Sequence, residues 1–140
     1  MDYFALTSPC GLDCFNCPLY LARTDEALRA DLAGQLNNAP EVTRCEGCRN
    51  QDGRVPAIGR CTPCHIYQCA SDRQHAFCGD CPDFPCDYLH PVADQADRRP
   101  HNTKVFNSCL IKKMGLAKWA TEKAGKVKRT YFSGKINLSD

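Results

Sequence analysis

CTPCHIYQC at residues 61–69 and CGDCPDFPC at residues 78–86 repeat one pattern, C-x2-C-x4-C, with the second copy starting seventeen residues after the first. A unit that short cannot bury a core of its own, so the two copies are expected to share a metal site or to pack around adjacent ones. Sulfurs at i and i+3 on a tight turn reach a single ion, and a closed tetrahedral site takes four such ligands. The fold is therefore read as organised around metal rather than around a large apolar core.

Outward from the repeat the same pairing recurs. Cys45-Glu46-Gly47-Cys48 is a further C-x2-C turn, with a glycine free to take a left-handed conformation. Cys10-Gly11-Leu12-Asp13-Cys14-Phe15-Asn16-Cys17-Pro18 places three sulfurs in eight residues. The pairs are thus Cys14/Cys17, Cys45/Cys48, Cys61/Cys64 and Cys78/Cys81, with Cys10, Cys69 and Cys86 as additional sulfurs, and all eleven are candidate metal ligands. Two groupings fit the spacing. Cys45/Cys48 with Cys61/Cys64 has the loop of a zinc ribbon but leaves the three N-terminal cysteines short of a ligand. The preferred grouping joins Cys14/Cys17 to Cys45/Cys48 across a helix and leaves the six repeat cysteines to hold one or two ions, with Cys10 unassigned. Two or three zinc ions in all are expected.

Composition points the same way. Counting cysteine, 43% of the 140 residues are hydrophobic, and without the twelve cysteines about a third remain, thin for a packed domain. One structural zinc site has an apparent binding free energy of about 10–16 kcal/mol near neutral pH, which rivals the net stability of a whole domain. The formal charge of +2 is a poor guide to partners. Twelve thiolates remove twelve charges and three zinc ions return six, leaving about −4. The first residues lack a basic region followed by an apolar run, and no apolar run reaches about 18 residues, so the chain is expected to be cytoplasmic with no membrane partner. In a reducing compartment, repeated C-x2-C pairs indicate metal or redox chemistry rather than a disulfide framework.

Around the cysteines the sequence reads as short helices. Pro18 opens one turn, and Thr24 or Asp25 caps an amphipathic helix carrying Leu28, Leu32 and Leu36 at four-residue spacing, ended by Asn37-Asn38 and Ala39-Pro40. Residues 65–77 have room for one or two helical turns. Residues 91–100 read as a polar linker. Asn102 or Thr103 caps a helix bearing Val105, Phe106, Cys109, Leu110 and Met114 and stopped by Gly115, and a second short helix carries Leu116, Trp119 and Ala120 up to Gly125. From Val127 to Ile136 the tail reads as extended, a small hairpin. The expectation is a small metal-organised α+β fold: cysteine zinc knuckles with an amphipathic N-terminal helix and a C-terminal helical segment. Residues 1–90 form the cysteine-rich metal-binding domain, and residues 91–140 a basic helical extension packed on it.

The remaining chemistry is sparse. Cys109, on the apolar side of its predicted helix, reads as a buried free thiol. Of His65, His75, His90 and His101, each able to complete a three-cysteine site, His65 stands beside Cys64 and is the one to test. Asp13 and Asp80 read as turn residues, since no catalytic partner accompanies them. No catalytic residue is assigned. The rival cofactor is an iron–sulfur cluster in an electron-transfer or redox protein, because Cys17-Pro18 and Cys81-Pro82 are cysteine-proline steps, although the C-x2-C-x2-C-x3-C run is absent. Nine Lys and Arg against Glu122 alone between Lys104 and Lys135, with Trp119, Tyr131 and Phe132, make nucleic acid a further candidate partner.

Cys10-Gly11-Leu12-Asp13-Cys14-x2-Cys17-Pro18-Leu19-Tyr20, Cys45-x-Gly47-Cys48, Cys61-x2-Cys64-x-Ile66-x2-Cys69-Ala70 and Cys78-x2-Cys81-x-Asp83-Phe84-Pro85-Cys86 together resemble the domain-of-unknown-function family 3795, over about residues 6 to 90 with a looser echo in Gly115-Leu116-x2-Trp119. The resemblance implies an uncharacterised, cysteine-rich, zinc-binding protein of bacteria and archaea and supplies no activity. A zinc-stabilised binding or adaptor module with an unknown protein partner is the resulting expectation.

Overall fold

The computed structural model describes residues 1–134, and over them the chain is mostly helical. Six α-helices appear in order: α1 Pro18–Leu21, α2 Glu26–Leu36, α3 His65–Asp72, α4 Lys104–Met114, α5 Leu116–Trp119 and α6 Gly125–Ser133. Short 3-10 turns fill the cysteine-rich stretches between them, including Cys14–Asn16 and Cys78–Asp80. The β part of the expected α+β class is reduced, among the described residues, to two isolated bridges, Thr7 with Asp13 and Val55 with Arg60.

Local sequence explains the ends of α2. The Asp25 side chain accepts the Leu28 backbone N–H at 2.9 Å, and Asn37 closes the helix in the left-handed conformation, φ 52°. Pro18 sits in the first turn of α1, where its missing N–H costs nothing.

The C-terminal part departs from expectation. Residues 127–133, read as extended, are helical, and Gly125, read as a helix end, lies at the start of α6 rather than after its predecessor. The cause is tertiary. A π-turn, Ala120–Ala124, joins α5 to α6 without a break. Ala120 and Ala124 then both face the core, where tertiary contact outweighs the strand preference of Val127, Thr130, Tyr131 and Phe132. Lys135 and Ile136, the far end of the expected hairpin, lie outside the described residues.

The core is small and assembled from distant stretches. Leu6, Phe15 and Phe77 meet Ile111, Trp119, Ala120 and Ala124. Phe15 lies edge-on to Tyr3, centroids 5.1 Å apart, and to Trp119 at 6.0 Å. Helix α4 crosses two of the cysteine turns at very close range. A Cβ on Gly11 would stand 2.8 Å from Ser108 Oγ, and one on Gly79 would stand 3.3 Å from the Ser108 carbonyl oxygen. Ser108 Oγ donates to the Cys10 carbonyl at 3.5 Å, and Lys112 Nζ to the Gly79 carbonyl at 3.2 Å. This seating needs small, polar residues on the inner side of α4, and Asn107 and Ser108 are buried there with Ile111. Cys109 is consequently turned outward and exposed, not buried as its apolar neighbours suggested.

Candidate metal centres

All twelve cysteines are free thiols. Most of them gather on either side of Cys10, which is buried and shares a 3.1 Å contact with Ser8 Oγ, while Cys61 and Cys109 are exposed.

On one side stand Cys14, Cys17, Cys45 and Cys48. Cys17 caps α1, the Cys45 N–H donates to the Leu19 carbonyl at 2.9 Å, and so the second cysteine turn is tied to the first across α1. Gly47, φ +97°, makes that turn possible, since a Cβ there would press on Leu6 at 3.2 Å and approach the Cys14 Cβ at 3.8 Å. The sulfurs are close enough for their charges to act on one another: Cys17, Cys10 and Cys45 at Cys14, and Cys10, Cys14, Cys64 and Cys45 at Cys48. Burial pushes the Cys14 thiol up to about 12, with these neighbours adding to the shift and the Cys48 N–H opposing it. Burial raises Cys45 and Cys48 as well.

On the other side stand Cys69 of α3, Cys78 and Cys81 of the Cys78–Asp80 turn, and Cys86. These four line a small cavity of about 30 Å³, together with His75 and Arg73. Burial, with the charges of Cys10, Cys86, Cys69 and Cys81 acting in the same direction, lifts the Cys78 thiol to about 12. The Cys78 N–H bonds to the Pro9 carbonyl at 2.8 Å, which places this group next to Cys10. The two copies of the repeat therefore do not fold alike. Of the first copy's three sulfurs only that of Cys69 reaches the cavity wall, while Cys64 caps α3 and belongs beside Cys48, and Cys61 is exposed.

Each group has its own arginine. Arg49 lies under the influence of Cys48, Cys14 and Cys10, its guanidinium 4.3 Å from the Phe4 ring and 5.1 Å from that of Phe77, with Nε donating to the Thr7 carbonyl at 2.8 Å. Arg73 donates to Cys81 Sγ at 3.6 Å and pairs with Asp83. Backbone N–H groups also point at sulfur, from Gly47 to Cys45 at 3.4 Å and from Tyr67 to Cys64 at 3.3 Å. Neither arginine is assigned a role by sequence alone, although Arg49 directly follows Cys48 and Arg73 lies between Cys69 and Cys78. Among the described residues no three His, Cys, Asp or Glu side chains stand close enough to hold an ion as they are. The donor set itself suits a soft or borderline ion, and cations and N–H donors beside sulfur favour the thiolate form that such an ion takes.

The other singled-out residues are placed as follows. His65 is exposed and stacks on Tyr88, centroids 6.5 Å apart. His101 contacts the Val92 carbonyl through Nε2 at 3.1 Å, and His90 the Pro91 carbonyl through Nδ1 at 2.8 Å. Asp80 caps its own turn by accepting the Phe77 N–H at 3.2 Å. Asp13 is buried, which raises its carboxyl above the ordinary range against the pull of Lys128, 4.0 Å away, and of Asn16. Trp119 is fully buried and so takes no part in stacking with a nucleic-acid base.

A chiefly helical, disulfide-free, cysteine-rich module with two groups of thiols is what fold and site define. The chain belongs to the family described as "Protein of unknown function (DUF3795)", whose model matches residues 6–91. No curated protein and no solved structure matches it. Among the described residues no helix is long and apolar enough to cross a membrane.

Proposed function

We propose that this protein is a zinc-binding module with four-cysteine sites that serves as a binding or adaptor unit. The observation that carries the reading is the pairing of each thiol group with a cation, Arg49 beside Cys48, Cys14 and Cys10, and Arg73 beside Cys81 and Cys69. Neutral thiols gain little from such a neighbour, whereas a tetrathiolate zinc centre carries a net charge of about −2 that an arginine offsets. The ion draws sulfurs from separate turns together, so its binding energy is folding energy.

The test is elemental analysis with a visible spectrum on protein purified without oxygen. Colourless protein with two or three zinc ions per chain is the expected result. Brown protein containing iron and sulfide would replace this reading with the electron-transfer one. Cys48→Ser should lower the zinc content and unfold the N-terminal half, and full metal retention in that variant would sink the assignment of Cys48.

A further inference from the structure

Building on the zinc-binding reading, we infer that the two thiol groups differ in kind: Cys69, Cys78, Cys81 and Cys86 form an exchange site for a thiophilic divalent ion, and Cys14, Cys17, Cys45 and Cys48 form a closed structural one. The contrast lies in what covers them. Three sulfurs of each group are half-buried, so the contrast rests on the fourth and on the arginine: in the closed group Cys45 is buried and the accompanying Arg49 is held between two aromatic rings. In the other group Cys86 is exposed, the accompanying Arg73 is exposed, and the sulfurs border a cavity reachable from outside.

An incoming thiol can therefore approach a metal in the cavity from the Cys86 side. The step is a ligand exchange with no change of oxidation state. A bond forms between the metal and the incoming sulfur, the bond to Cys86 Sγ breaks, and the proton of the incoming thiol passes to Cys86. His75 on the same wall would offer a nitrogen donor to a bound ion. Arg73 acts as a positioning residue through Cys81, whose sulfur it meets at 3.6 Å. A protein thiol or a small-molecule thiol would be the acceptor, and the chain would then deliver or sense a thiophilic ion rather than merely be stabilised by it.

The experiment is zinc release from the full-length protein to the chromophoric chelator 4-(2-pyridylazo)resorcinol, with and without glutathione. Two phases are expected, with the fast one accelerated by glutathione. Cys86→Ser should remove the fast phase and its share of the zinc while the slow phase stays. Arg73→Gln should weaken binding in the fast phase about tenfold, as loss of a partner to a ligand usually does. It also serves as the second variant should Cys86→Ser fail to fold. Release in a single phase, or a fast phase indifferent to both substitutions, overturns the inference while leaving zinc binding intact. A wild-type chain without zinc overturns the zinc-binding reading itself.

Discussion

The Trp119 indole Nε1 donates to Asn107 Oδ1 at 3.4 Å, with both side chains sealed from solvent. This bond ties α5 back onto α4 and holds the ring edge-on to Phe15, one residue from Cys14. Trp119→Phe keeps most of the apolar volume but leaves the Asn107 oxygen without its donor. It should cost about 1–3 kcal/mol, measured as a lower urea midpoint with an unchanged slope.

Gly11 and Gly79 form the seat of α4, and they are not equivalent. Gly11 has φ +85° and would meet Ser108 Oγ, whereas Gly79 has an ordinary φ and a more distant neighbour. Gly11→Ala should therefore lose about 1–3 kcal/mol, and Gly79→Ala less than about 1 kcal/mol. Equal losses in thermal melts would contradict this geometry.

Metal affinity should rise steeply with pH. Burial keeps the Cys14, Cys45 and Cys48 thiols protonated at neutral pH. The metal-bound state holds fewer protons than the free one, so raising the pH favours binding. Three displaced protons give about a thousandfold change in apparent affinity per pH unit. Chelator competition at two neighbouring pH values reads the slope, and a flat profile would exclude these thiols as ligands.

Cys109, with the exposed Cys61, should react ahead of the buried and half-buried thiols. It is exposed on the outer side of α4 and belongs to neither sulfur group. Brief treatment of the zinc-loaded protein with iodoacetamide, followed by peptide mass spectrometry, should find Cys109 labelled ahead of Cys14, Cys45 and Cys78. Removal of zinc with a chelator should expose the others to labelling.

Much of the scaffold is legible in the sequence because its signals are local. Asp25 and Asn37 mark α2 by capping chemistry, and Gly47 announces a left-handed turn between two sulfurs. What escapes reading depends on contacts made across the chain. Polarity assigns the inner side of α4 to Val105, Phe106 and Cys109, yet Phe106 is 57% exposed. The helix rests on two glycines, and only a small hydroxyl fits there. The helical tail is hidden for the same reason. Val127, Thr130, Tyr131 and Phe132 favour strand, but the core contacts of Ala120 and Ala124 just before them carry the helix on, and Lys128 reaches across to donate to the Asn16 carbonyl at 2.5 Å. The division of sulfurs is less legible: Cys64 stands near Cys48 as Cys14 and Cys45 do, so both groupings that the spacing allows stay open, while the separation of Cys69 from Cys61 and Cys64 comes from α3, which carries one of them a full turn away from the others.

Lys128 itself offers a measure of that strap. Lys128→Met removes the donor to Asn16 and the cation 4.0 Å from buried Asp13. It should cost about 1–3 kcal/mol at neutral pH in chemical denaturation. The cost should shrink in acid, because a protonated Asp13 no longer needs the cation, provided the comparison is made above the pH at which zinc is lost.

The stretch that defines the family ends at residue 91, yet four of the seven core side chains, Ile111, Trp119, Ala120 and Ala124, come after it. Ancestry and architecture thus draw different borders on this chain. A fragment cut at the family boundary would keep all eleven candidate cysteine ligands and lose the wall behind Phe15, so the cysteine signature identifies the protein's relatives without containing the whole of the core.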